Sequence, residues 1–178
     1  MIRLATPSDS LALTRLMSTS LAALGTAFYD AETLERMLRY IPIPDPVIIA
    51  DGTYFVAQIE GQLAACGGWS RRKKLYTGSA AEEDGAAVWA DPATEPAKIR
   101  AFFVHPDYAR RGLGRKILEA CESAASDQGF RRAELMALLP GVPLYAACGY
   151  APIAEEAIIL PDGTHVPCVR MGKALKAP

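Results

Sequence analysis

Residues 101–118, AFFVHPDYARRGLGRKIL, decide the fold. An apolar run breaks at His105, Pro106 and Asp107, passes through a turn rich in glycine and arginine, and enters an amphipathic helix. Glycines at Gly112 and Gly114 let backbone N–H groups approach a ligand closely, and the unpaired donors of the helix N-terminus face the same point, so the segment reads as a phosphate site. Arg110, Arg111, Arg115 and Lys116 add four positive side chains and no negative one. The whole chain has a formal net charge of -1, which makes this basic cluster a local feature.

Working outward, Leu113, Ile117, Leu118, Cys121, Ala124 and Ala125 recur at three- and four-residue steps and give the helix one apolar stripe that Gly129 ends. The following RRAELMAL has strand-like content, so the region predicts a strand, turn, helix, strand unit of the α/β kind. Spacing separates the phosphate-binding alternatives. A dinucleotide fingerprint wants Gly or Ala three residues after Gly114, where Ile117 stands, and a Walker loop wants a Gly followed by Lys and Ser or Thr, which is missing. The plainer alternative is a tight loop before a helix, the usual meaning of an isolated Gly-x-Gly.

The strand, the RRGLGR turn and a downstream LYAACGY together resemble the acetyl-CoA-binding core of the GCN5-related N-acetyltransferase (GNAT) superfamily. The resemblance implies an α/β fold with a mixed, mostly antiparallel central sheet flanked by helices, and strands splayed at the acetyl-CoA site. It implies that Arg110, Arg111, Gly112, Leu113, Gly114 and Arg115 wrap the CoA pyrophosphate. It also implies that residues 99–104 pair with the pantetheine arm, a backbone N–H at Phe103 or Val104 serving as oxyanion donor. Tyr145, four residues before Gly149 in LYAACGY, matches the tyrosine that points at the thioester sulfur, the general acid for the departing thiolate. A phenol with a pKa of about 10 can donate to a thiolate and stay protonated at neutral pH. Two positions depart from the family pattern: Ala109 replaces the Gln or Arg that opens the loop, and Leu138 replaces an Asn seven residues before the tyrosine.

The activity so implied is acetyl-CoA-dependent acetyl transfer to a primary amine of a small molecule or peptide. The other reading is an acyl-CoA-binding sensor or regulatory module without turnover; a third is a nucleotide-phosphate binder of unrelated chemistry. The retained Tyr145 favours the enzyme. The strand KIRAFFV carries no carboxylate, so the general base stays open between Glu95, His105, Glu134 and water. His105 has the most suitable intrinsic pKa, but it sits in a turn that reads as structural first.

At 178 residues and 51% hydrophobic, the chain is long enough for one domain, taken as residues 1–178. The start MIRLATPSD lacks a signal-peptide pattern and no apolar run is long enough for a membrane span, so a soluble, cytoplasmic protein without membrane partners is expected. Cys66, Cys121, Cys148 and Cys168 show no Cys-x-x-Cys pair, and with His105 and His165 the only histidines, no metal is expected. The absence of an extended basic patch argues against nucleic acid.

The opening residues predict a short strand and a helix capped by Asp9 or Ser8, with Leu13, Leu16, Met17 and Leu24 on its buried face. A second helix follows Asp30, with Leu34, Met37 and Leu38 buried, and stops before Pro42, Pro44 and Pro46. By the resemblance, Phe28, Tyr29 and Tyr40 are candidates to line an acceptor cleft, with core packing the default for each. Residues 53–59 and 62–69 predict a hairpin turning at Glu60 and Gly61. Residues 71–97 change character, with RRKK and EED in place of periodic apolar residues, and suggest a flap or an irregular insertion. Trp69 and Trp89 are candidate acceptor surface, core packing or loop anchoring being the default. Residues 150–173 predict a hairpin around Pro161, Asp162 and Gly163, through which a homodimer could form by analogy with the superfamily.

Overall fold

The computed structural model describes residues 1–73 and 88–176. Its elements run β1 (Ile2–Leu4), α1 (Ser10–Gly25), α2 (Ala31–Tyr40), α3 (Pro46–Ala50), β2 (Tyr54–Ile59), β3 (Gln62–Ser70), β4 (Ala97–Val104), α4 (Leu113–Asp127), β5 (Arg132–Leu138), α5 (Val142–Ala147), β6 (Ala151–Ile159) and β7 (His165–Ala174). The strands form one seven-stranded sheet in the order β1-β2-β3-β4-β5-β7-β6. Every neighbouring pair is antiparallel except β4 with β5. The α/β fold with a mixed, mostly antiparallel sheet flanked by helices is therefore the one expected. Among the described residues no helix is long and apolar enough to cross a membrane.

Alternation along the strands splits the core in two. On β2 and β3, Ala57 and Ala65 point into a cluster with Ile117, Leu118 and Cys121 of α4, while Val56 and Cys66 point the other way, to Leu13, Met17, Met37 and Ile48 of α1–α3. This is the period-two pleat at work, with helices covering both faces. Each fully buried Leu or Ile here removes enough apolar surface to favour folding by about 2 kcal/mol.

Two departures from regular pairing position the site. β5 pairs with β7 along its whole length, from Arg132↔Ala174 to Leu138↔Cys168, but with β4 only at Ala97↔Ala133 and Lys98↔Glu134. Beyond those residues β4 and β5 diverge. On its other side β4 pairs with β3 at Gly68↔Arg100 and then at Cys66↔Phe103, so Gly67 alone faces both Ala101 and Phe102. That extra residue is a β-bulge, and Ala101 adopts a left-handed conformation at φ 53 to make it. The Tyr54 hydroxyl donates to the Ala101 carbonyl at 3.0 Å and fixes the bulge. A Cβ on Gly67 would lie 2.5 Å from the Phe102 ring, so the bulged strand can lay Phe102 over β3 only because that residue is glycine.

Local differences from the sequence expectation have local causes. Asp9 does not cap α1 through its side chain; it faces backwards, accepting from Thr6 N at 2.7 Å and pairing with Arg3 at 2.8 Å. The short α3 begins at Pro46, at a position where the N–H that proline lacks would have no intrahelical acceptor, and Asp45 caps it by accepting from Val47 N at 2.9 Å. Leu24 is not buried: it is 37% exposed, because it faces the cleft described below. Residues 74–87 of the flap expectation lie outside the described residues. At its flanks, Arg72 pairs with Asp51 through two 2.9 Å contacts, and Trp89 lies beneath the Arg71 and Arg72 guanidinium groups.

Candidate active site

Where β4 and β5 part, a cleft of about 850 Å³ opens. Its floor is β4 from Ile99 to Val104, and its back is the end of β5 with Met136 and Leu138. One wall carries Ala109, Arg110, Gly112, Leu113, Gly114 and Arg115, closed by Leu144, Tyr145 and Ala147 of α5. The opposite wall comes from α1, the end of α2 and the end of β6, among them Leu24, Phe28, Tyr40, Ile43, Ile158 and Leu160.

The first wall is built by backbone conformation. After β4 a short turn at Pro106–Tyr108 is capped by His105, whose Nδ1 accepts from Asp107 N at 3.3 Å. Arg110 then stands at φ 65 and Gly112 at φ 78, two left-handed residues that curl the chain so that α4 starts with Gly112 as its N-cap. The first amides of α4 have no intrahelical acceptor, and successive N–H groups in such a curl make an anion-binding concavity. A Cβ on Gly112 would meet nothing within 4 Å, so that side of the loop is open; one on Gly114 would press Leu144 at 2.9 Å, because α4 begins in close contact with α5. Arg115 donates to the Ala147 carbonyl at 3.2 Å and ties α4 to α5. This cradle of donors and cations fits a diphosphate.

Tyr145 lies inside the six-residue α5, 7% exposed. Its ring meets Phe102 edge-on at 6.1 Å and Tyr150 at 5.9 Å, so the bulge on β4 and the tyrosine on α5 share one contact. Burial pushes the phenol's pKa upward from its ordinary value, which keeps it protonated at neutral pH. Among the described residues no hydrogen bond holds its hydroxyl.

The structure thus brings Phe103, Val104, Arg110, Gly112, Leu113, Gly114, Arg115 and Tyr145 to one cleft. Arg111 lies off it, with its guanidinium 5.4 Å from the centre of the Tyr108 ring. Phe28 and Tyr40 line the opposite wall; Tyr29 does not, being committed to Pro167 and Leu139 through 2.9 Å hydrogen bonds of its hydroxyl. None of the three candidate bases lines the cleft. Glu95 accepts from Asp91 N at 2.8 Å and pairs with Lys73 at 2.9 Å, both of which hold its carboxyl below the usual range; Glu134 is 3.5 Å from Lys98; His105 caps its turn. Trp69 packs on Phe130 at 5.9 Å in the core, and Trp89 anchors the loop flank. Cys66, Cys121 and Cys168 are buried and Cys148 is half-buried, all as free thiols. Among the described residues no three His, Cys, Asp or Glu side chains gather to hold a metal.

Sequence reasoning missed two site features. Phe102, the contact of Tyr145, follows from the bulge, whose one signal is the Gly67-Gly68 pair on the facing strand. The second is a buried ion pair beneath the cleft, Arg100 of β4 with Asp45 at 2.7 Å, which joins the floor to the cap of α3. Burial lowers the Arg100 pKa from its ordinary value, against the carboxylate that raises it.

A comparison with curated proteins gives no match. Solved structures share the fold. A GCN5-related N-acetyltransferase from Rhodopseudomonas palustris superimposes with a TM-score of 0.74 at 19% identity, over 98% of this chain and 95% of that one. The PaiA N-acetyltransferase from Thermoplasma acidophilum, solved in complex with coenzyme A, gives 0.68 at 14% identity over 98% of each chain. YncA from Salmonella typhimurium, solved with its cofactor acetyl-CoA, gives 0.62 at 17% identity over 100% of this chain and 95% of that one. The family model described as the acetyltransferase (GNAT) family matches residues 19–150, which hold the loop, the bulge and Tyr145. The chain belongs to the GNAT acetyltransferase family, and it is an acetyltransferase.

Proposed function

We propose that this enzyme moves the acetyl group of acetyl-CoA directly to a primary amine of a small molecule or peptide, with Tyr145 as the acid that protonates the departing thiolate. The observation that carries this reading is the position of Tyr145. Its phenol is buried in the same cleft as the anion cradle and contacts Phe102 at the strand bulge. In this arrangement Gly112, Leu113 and Gly114 hold the pyrophosphate by backbone amides, with Arg110 and Arg115 supplying positive charge. Arg111, turned onto Tyr108, adds charge at the outer edge of the loop.

The amine nitrogen attacks the thioester carbonyl, the carbon–sulfur bond breaks, and the sulfur takes the Tyr145 proton, while the proton that the nitrogen sheds is carried by water to the tyrosinate and restores the phenol. Of the two backbone donors considered for the carbonyl oxygen, Val104 is the better placed. The His105 amide donates to Ala64 on β3 and the Phe103 amide is directed at Cys66 on the same strand, so by alternation the Val104 amide faces the cleft.

Calorimetric titration with acetyl-CoA, repeated on the Arg110→Glu, Gly112→Asp double variant, tests the cradle. Placing two carboxylates where phosphate oxygens belong should weaken binding by about a hundredfold or more. Thiol release over an amine panel on the same sample then tests transfer. A folded wild-type protein that binds no acetyl-CoA would overturn the assignment of Gly112 and Gly114.

A further inference from the structure

The wall facing the cofactor loop has a chemistry of its own. Leu24, Phe28 and Ile43 are 37%, 47% and 61% exposed, large apolar side chains gathered at the mouth of the cleft, and Ile158 and Leu160 continue the apolar surface inward. The polar side chains on this wall are the hydroxyls of Ser20 and Tyr40. Among the described residues lining the cleft there is no Asp, Glu or His; its ionic side chains are Arg100, Arg110 and Arg115. Among the described residues, the Asp45 carboxylate beside the floor is spent on Arg100 at 2.7 Å. A site for a polyamine, an aminoglycoside or a lysine in a basic peptide needs anions for the cations that do not react, since a buried charge without a partner is costly.

From this charge distribution we infer that the acceptor is a primary amine on an apolar body, an alkyl or arylalkyl amine with no second cation, seated on Leu24, Phe28 and Ile43. The inference rests on the acetyl-transfer reading and narrows it. It also accounts for the lack of a base among the described residues that line the cleft. An ammonium moved onto an apolar wall beside arginines is disfavoured against its neutral form, so desolvation releases the proton to water before attack and no carboxylate is needed to take it.

The test compares kcat/KM for hexylamine and phenethylamine with that for hexamethylenediamine and spermidine, at one pH, in the wild type and in Phe28→Glu. Acetyl-CoA binding is measured calorimetrically on the same samples, and thermal unfolding checks that the variant is folded. The monoamines should be preferred by about tenfold or more, and a carboxylate at position 28 should shift the ratio toward the diamine by about tenfold. Diamines used as well as monoamines, or acetyl-CoA bound with neither monoamine acetylated, overturns the acceptor assignment and leaves the cofactor cradle standing. Failure to bind acetyl-CoA brings down the acetyl-transfer reading and this one together. Hexanoyl-CoA binding more tightly than acetyl-CoA, with the advantage lost in Phe28→Glu, assigns the wall to the acyl chain instead and also overturns the inference.

Discussion

The wall proposed to cradle the cofactor comes from one run of chain, residues 109–115, with α5 closing it, whereas the wall opposite is assembled from α1, the end of α2 and the end of β6, which are far apart in sequence. The first works through backbone amides, left-handed residues and fixed cations, so a short motif can specify it. The second works through exposed apolar side chains whose neighbourhood exists only once the sheet has formed. The difference lies within a fold that is shared with solved structures at 14% and 19% identity. It also says where to look for chemistry: Tyr145 stands on the contiguous wall and touches the strand between the two.

Removing the Tyr145 hydroxyl should therefore separate binding from turnover. For Tyr145→Phe we expect kcat to fall by about a thousandfold while acetyl-CoA affinity changes by no more than a few fold, because the ring still fills its place against Phe102 and Tyr150. Steady-state thiol release and calorimetry measure the two quantities. A variant with wild-type kcat would reduce Tyr145 to packing and move the chemistry elsewhere.

What the sequence made legible follows the same division. The turn at Glu60 and Gly61, the helix after Gly112 and the hairpin on either side of Pro161-Asp162-Gly163 are local, and local signals of glycine, capping and alternation place them correctly. Non-local features were not legible. Nothing in APIAEEAII or HVPCVRMGKA says that β7 enters the sheet beside β5 and leaves β6 at the edge. An alanine is an improbable carrier of φ 53, so the bulge at Ala101 could not be read from β4 itself. The Asp45 and Arg100 pairing joins residues 55 apart in sequence across two elements, one of which, α3, was hidden in a proline-rich stretch.

That pair is the strut between the two walls, since Arg100 belongs to the contiguous floor and Asp45 caps the helix that follows α2. Arg100→Met should destabilise the fold by about 3 kcal/mol in denaturant unfolding, as a carboxylate 3% exposed is left without its counter-charge. Adding Asp45→Asn should recover more than half of that loss. Asparagine can still accept from Val47 N and cap α3, and it carries no charge to leave stranded. A double variant no more stable than the single one would mean that the guanidinium acts through packing alone, and that the walls are held together by their apolar contacts.

The smallest expected effect lies at Ala101, where the two walls meet. A left-handed alanine costs about 1 kcal/mol relative to the right-handed region, and Ala101→Gly removes that strain. Glycine in turn loses more chain entropy on folding, about 0.5–1 kcal/mol, so the net change should be stabilising or neutral, within about 0.5 kcal/mol. The bulge would survive the exchange, because the Tyr54 hydroxyl holds the carbonyl of this residue and Gly67 leaves room for Phe102 whatever side chain position 101 carries. Turnover should accordingly be retained. A loss of stability well beyond 1 kcal/mol would instead show that the methyl group, packed against the cluster of α1–α3 residues, anchors the bulge from the acceptor side. The strand geometry that puts Phe102 against Tyr145 would then depend on the assembled wall as much as on the contiguous one.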